Sequence, residues 1–286
     1  MKRTFHPVGQ GAFYSERHNC NGKKFTIVYD CGSMTYFGNH LKSIVESAFP
    51  KEESEKKPII DILFISHFHA DHINGIKHLK NHCEIRKVVM PLIDNSAKFV
   101  LKINNRIIGD SDDDELIDNP KIFFGENVEV VAISEYGKEN ETNSEPEVVI
   151  YPSGEKFRTN QNDNWFFIPY NYRHDEGVEL FRQTLANFGI NLNNIDIETV
   201  VGNQIIKNTY SVLDKDLNKN SMILYSGKDR NCFLEFKPKK NPPISIVDKI
   251  RTIKYFRHFG NTQIGCLYTG DIDLLQRGII SEIKNN

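Results

Sequence analysis

The chain has 286 residues, 39% hydrophobic and 26% charged, with a formal net charge of −2. That length suits one large α/β domain or two small ones, and the near-neutral balance gives no electrostatic reason to expect nucleic-acid or membrane binding, although a sum hides local basic grooves. The five cysteines (Cys20, Cys31, Cys83, Cys232 and Cys266) are odd in number and lack a CxxC pair. They argue against a disulfide framework and for free thiols in a reducing compartment. No secretory h-region opens the chain and no apolar run approaches a membrane span, so a cytoplasmic protein without membrane contact is expected.

The first third reads as alternating strands and helices. Lys24 to Tyr29 is a β-branched and aromatic run ending in the turn signal Asp30-Cys31-Gly32-Ser33. Leu41, Ile44, Val45 and Ala48 follow at helical spacing, and Ile59 to Ile65 is a near-continuous apolar run that suits a strand covered on both faces. A helix is expected from about Asp71 to His82, then a short strand, Arg86 to Met90, stopped by Pro91. This βαβα rhythm predicts an α/β layered fold.

Further along, the acidic run Asp110 to Glu115 reads as a solvated loop or helix start. Val128 to Ile133 and Val148 to Tyr151 read as strands, with Tyr136 to Pro146 between them as a polar hairpin loop. Trp165 to Pro169 is strongly apolar, and Glu176 to Phe188 has helical periodicity with Gly189 as its stop. Asn191 to Asn220 is rich in Asn, Asp and Lys, with a weak strand at about Thr199 to Val201. Met222 to Tyr225 and Cys232 to Phe236 are expected to pair through a turn at Gly227 to Arg230. A helix over 245–257, a buried strand over 264–268 and a last helix over 272–283 complete the reading. Cys31 and Cys266, in or beside apolar runs, are expected to be buried.

The densest chemical signal is His67-Phe68-His69-Ala70-Asp71-His72, three imidazoles and a carboxylate directly after an apolar strand. Imidazole and carboxylate are the ligands that zinc and similar divalent metals take. His67 and His69 alternate on extended backbone and can face one side, while Asp71 and His72 fall at the turn and helix start. Two His can thus hold one metal while Asp71 and His72 face a second.

These six residues match the HxHxDH signature and resemble the metallo-β-lactamase fold superfamily. Tyr29-Asp30-Cys31-Gly32 resembles its early strand ending in D-x-G, Gly75 its DHxxG extension, and Thr269-Gly270-Asp271 its strand ending in a metal-bridging Asp. Val8-Gly9-Gln10-Gly11 and Asn220-Ser221-Met222-Ile223-Leu224 look like segments of the competence-protein ComEC type, whose activity is thought to be nucleolytic. The chain departs from that pattern at Gly11-Ala12, where an acidic residue is usual, and between Pro91 and Asn220, where a segment is inserted.

The resemblance implies one four-layer αββα sandwich over residues 1–286, with an insertion at about 95–215 and a shortened C-terminus lacking the usual His segment. It implies one or two divalent metals, zinc first and manganese second, held by His67, His69, Asp71, His72 and Asp271. Asp71 would also assist proton transfer. The usual further His falls near Asn218 to Asn220, where there is none, so His174, His258 or a partner protein would complete the site. Asp30 resembles the acid that orients a metal-bound His; a plain strand-end turn residue is the other reading. His78 and His82, at i and i+4, are expected on an exposed helix face. Lys237 to Lys240, with Arg251, Lys254 and Arg257, form a solvated surface or a phosphate contact.

The expected function is metal-dependent hydrolysis of a phosphodiester in nucleic acid or a nucleotide through a metal-activated water. The alternative is a catalytically incomplete module acting as a sensor or interaction subunit, for example in an antiviral defence system. Hydrolysis of a small ester or lactam is a third reading.

Overall fold

A computed structural model describes residues 1–20, 22–51, 56–107, 113–137, 148–158, 165–172, 176–190, 203–217, 221–228 and 266–269. The first sheet contains seven strands: β1 (Lys2–Phe5), β2 (Phe13–Cys20), β3 (Lys23–Cys31), β5 (Ile62–Phe64), β7 (Lys87–Pro91), β8 (Glu129–Ile133) and β9 (Val149–Tyr151). They lie in the order β1-β2-β3-β5-β7-β8-β9, antiparallel from β1 to β3 and parallel from β3 onward. The second sheet is antiparallel: β10 (Phe157–Arg158), β11 (Trp165–Tyr172), β12 (Ser221–Lys228) and β13 (Cys266–Tyr268). The architecture is therefore mixed α/β with a large mixed sheet and helices, as the fold reading expects.

Side-chain alternation builds the layers. On the first sheet Ile27, Tyr29, Phe64, Val89 and Val131 face the second sheet, where Trp165, Phe167, Met222 and Leu224 meet them. The opposite face, with Val28, Leu63, Val88 and Val130, is covered by α1 (Gly38–Ala48), α3 (Ile76–His82), α5 (Asp114–Asp118) and α6 (Pro120–Phe124). Burial on both faces explains why β5, β7 and β8 read as continuous apolar runs. A further cluster joins α4 (Asn95–Ile107), α7 (Glu176–Asn187) and α8 (Gln204–Leu217) through Val100, Ile103, Phe181, Leu185, Ile206 and Tyr210. Strands β8 to β11 of the two sheets lie within residues 95–215. Among the described residues no helix is long and apolar enough to cross a membrane.

Several local expectations change. The run Ile59 to Ile65 is two strands, not one: β4 (Ile59–Ile60) pairs with β6 (Glu84–Ile85), and β5 joins the first sheet. Asp61 makes the break, because its carboxylate accepts from Thr26 N at 2.8 Å and from Arg86 Nη1 at 3.0 Å. The expected helix from Asp71 to His82 divides into α2 (Ala70–Ile73) and α3, separated where Gly75 N donates to Cys31 O at 2.8 Å. Tyr136 to Pro146 is not a hairpin loop, since β8 and β9 are parallel and a tight turn cannot connect parallel neighbours. The expected turn at Gly227 to Arg230 gives way to strand through Lys228, which pairs with Trp165. The Asn-rich stretch holds α8, which buries Ile206 and Tyr210 one turn apart. Cys31 is buried, but Cys266 is only half-buried. The acidic run is not wholly solvated: Asp113 is buried ahead of α5, and Asp114 bonds Arg106 at 2.5 Å. Gly189, at φ +74°, ends α7 as expected. Residues 232–236, 245–257 and 272–283 lie outside the described residues.

Candidate metal centre

The site forms where the parallel strand β5 ends. Ile65 N donates to Val89 O at 2.9 Å, which keeps the chain extended beside β7, and the following residues turn into α2. His67, Asp71 and His72 offer ligand atoms that all lie within 4.8 Å of one another, a set that can hold a metal ion. The His69 ring packs against His67 with centroids 4.7 Å apart. His67, His69 and His72 are buried, and Asp71 is partly exposed.

Asp30 organises the histidines. Val28 and Cys31 both face the helical side, so the strand carries one extra residue between them, and the register against β2 slips there. That residue is Asp30, left-handed at φ +56°, a conformation Asp tolerates better than most non-glycine residues. Its buried carboxylate accepts from Ser66 N at 2.6 Å, Ser66 Oγ at 2.7 Å and His72 Nδ1 at 2.9 Å. Ser66 has a single hydroxyl proton, and it goes to Asp30. The Ser66 oxygen, 2.9 Å from His67 Nδ1, is then an acceptor, so His67 carries its proton on Nδ1. The same holds for His72, because an ionised carboxylate only accepts. With the proton on Nδ1, each ring in its neutral form presents a bare Nε2, the tautomer a metal ligand needs. Burial, with His72 and His69 beside it, pushes the His67 pKa well below its ordinary value, which keeps that ring neutral.

Glycines let the backbones meet. A Cβ on Gly32 would lie 2.5 Å from His72 N and 2.6 Å from Asp71 O. Gly11, at φ +133°, would place one 2.7 Å from the same Asp71 oxygen, which already accepts from Ala12 N at 3.0 Å. The D-x-G and VGQG patterns thus have a steric reason: both loops rest directly on the turn that carries the carboxylate and the third imidazole. From the second sheet, Met222 N donates to Ser66 O at 2.7 Å, and Tyr29 OH donates to Met222 O at 2.8 Å. The start of β12 is thereby fixed at the rim of the site.

Asp271, His174 and His258, with the basic residues at 237–240, 251, 254 and 257, lie outside the described residues. His82 donates to Phe49 O at 2.6 Å, and neither it nor His78 belongs to a metal-capable cluster of the described residues. Ser66 was not singled out by sequence reasoning, since a serine at a strand end carries no signal of its own. Its place immediately before the His motif was the one available hint.

A mixed α/β sandwich that gathers imidazoles and a carboxylate at the carboxyl end of its parallel strands has the build of a divalent-metal site. Residues 20–147 match the model of the metallo-beta-lactamase superfamily, which implies a metal-dependent hydrolase and typically binds divalent metals. The match takes in β3, the His motif, β7 and β8. No curated protein matches the chain.

One consequence is direct. Asp30→Asn puts an amide donor where Ser66 and His72 need an acceptor, and should weaken divalent-metal binding about 10- to 100-fold. Competition titration against a chelator reads this; an unchanged dissociation constant would mean that Asp30 does not orient the ligands.

Proposed function

We propose that the chain hydrolyses a phosphodiester, in nucleic acid or a nucleotide, with one or two divalent metals held by His67, His69, Asp71, His72 and Asp271. The observation that carries the metal reading is the trio of buried His67, partly exposed Asp71 and buried His72, with both imidazoles set by Asp30 and Ser66 to offer Nε2. Nitrogen and carboxylate oxygen donors suit zinc first and manganese second. Such a metal lowers the pKa of water towards ~7 and polarises a phosphoryl oxygen. The residues do the rest. The Asp30 and Ser66 network keeps both ring protons away from the metal side, so binding need not displace them. Asp71, partly exposed to solvent, can take the proton from the attacking water.

The phosphodiester preference over an ester or lactam is supported by the likeness of Val8 to Gly11 and of Asn220 to Leu224 to the competence-protein ComEC type. The loop that carries the first of these likenesses rests on Asp71 through Ala12 N. Nucleic acid is accordingly the proposed substrate partner, and a partner protein would complete the ligand set if Asp271 and the chain's other histidines do not.

The test is turnover of bis-p-nitrophenyl phosphate and single-stranded DNA, with zinc or manganese, beside a chromogenic ester and a lactam. Metal-dependent cleavage of the phosphodiesters alone is expected. Cleavage of the ester or lactam alone would overturn the substrate reading, and no turnover with no metal uptake would favour the interaction module.

A further inference from the structure

We propose that Asn105, on the last turn of α4, is a positioning residue for the metal-binding turn; this rests on the metal reading above. Its side chain is fully buried, and its Nδ2 donates to the Phe68 carbonyl at 3.3 Å. Phe68 is the residue between His67 and His69, so its peptide plane sets how the two imidazoles face each other. The Phe68 ring is sunk in the core under the first sheet, which fixes one side of that residue. Asn105 holds the other side.

The choice of residue points the same way. Asn is a poor helix former, and a buried amide is costly unless both its ends are satisfied. Among the described residues Asn105 Oδ1 has no hydrogen-bond partner. A leucine of similar volume would suit the surroundings better, since Leu101, one turn earlier on the same face of α4, packs against the apolar core that holds Phe68. The amide's orientation is set by the carbonyl it serves, because the flipped amide would place oxygen against oxygen. The helix that carries it is braced: Lys102 pairs with Asp118 at 2.8 Å and Arg106 with Asp114 at 2.5 Å. Asn105 thereby links α4 directly to the metal-binding turn.

The experiment uses the full chain, stripped of metal and titrated with zinc and with cobalt, in wild type, Asn105→Leu, Asn105→Ala and Ile103→Val. Ile103→Val loosens the same helix without touching the Phe68 carbonyl. Asn105→Leu and Asn105→Ala should bind zinc about 10-fold more weakly and shift the ligand-field absorption of bound cobalt, while Ile103→Val lowers Tm and leaves both readouts unchanged. Either Asn105 variant suffices if the other does not fold. Wild-type affinity and spectrum in the folded Asn105 variants, or an equal loss in Ile103→Val, would overturn the assignment alone. A wild-type chain that takes up no metal would overturn the metal reading and this assignment together.

Discussion

Asp71→Ala is expected to reduce metal-dependent hydrolysis by on the order of 10³-fold or more while leaving the fold intact. The two halves of that expectation have separate causes. The Asp71 carboxylate lies with His67 and His72 in the one metal-capable cluster of the described residues, so its loss removes both a ligand and the proton acceptor of the proposed mechanism. The bonds that hold the surrounding loops use the Asp71 backbone instead: its carbonyl accepts from Ala12 N, and the close approach of Gly32 is to main-chain atoms. Alanine keeps all of these and suits the helical turn. His67→Ala is the less clean variant, because it hollows a buried position. Steady-state kinetics with thermal unfolding of the metal-free protein read both halves. Residual activity near wild type would remove Asp71 from the mechanism.

Glu16→Gln is expected to destabilise the protein by about 3–5 kcal/mol, the usual consequence of removing one partner of a buried charged network. Glu16 is fully buried on β2 between the sheets. It accepts from Arg3 Nε at 2.6 Å, Ser226 Oγ at 2.7 Å, Tyr268 OH at 2.7 Å and His18 Nε2 at 3.0 Å. Trp165 Nε1 in turn donates to Ser226 at 3.0 Å. Strands β1 and β2 of the first sheet are thus tied to β11, β12 and β13 of the second by one carboxylate. Burial pushes the Glu16 carboxyl up, but the His18 hydrogen bond, the Arg3 charge and bond and the Tyr268 hydroxyl outweigh it and hold the pKa at about 2, against an ordinary 4.5.

The sign follows from the depressed value. The stabilisation from this group is complete above about pH 4.5, declines as pH falls, and is gone below about pH 2. The gap corresponds to about 3 kcal/mol at neutral pH. Urea unfolding of wild type and Glu16→Gln across that range should show two curves that converge in acid. Curves that stay parallel would mean that the Glu16 charge contributes nothing to folding.

That network also shows where sequence reading stops. Along β2 the inward positions are Tyr14, Glu16 and His18, two of the three polar, so the two-residue hydrophobic alternation that reveals a strand is broken. β3, β7 and β8 were legible because the second sheet covers one face and helices the other. The apolar run into the His motif was legible too, but not its division at Asp61, whose break depends on Thr26 and Arg86 from other strands. Helices α4 and α8 carry short apolar stripes that join one cluster with α7, and their polar faces outweigh those stripes in composition. At the site the ligand types and spacing were plain from His67 to His72. The bulge that turns Asp30 under the histidines, the single hydroxyl proton of Ser66 and the reach of Asn105 to Phe68 are tertiary facts with no local pattern to betray them.

His67, Asp71 and His72 are proposed to hold a metal that the hydrolysis requires. That role is tested most directly by measuring bound metal and bis-p-nitrophenyl phosphate turnover together, on wild type and Asp71→Ala after dialysis against zinc or manganese. At least one tightly held ion per wild-type chain is expected, with turnover that a chelator abolishes and added metal restores, and loss of both in Asp71→Ala. Equal metal content in the two proteins, or turnover that survives complete removal of metal, would contradict it.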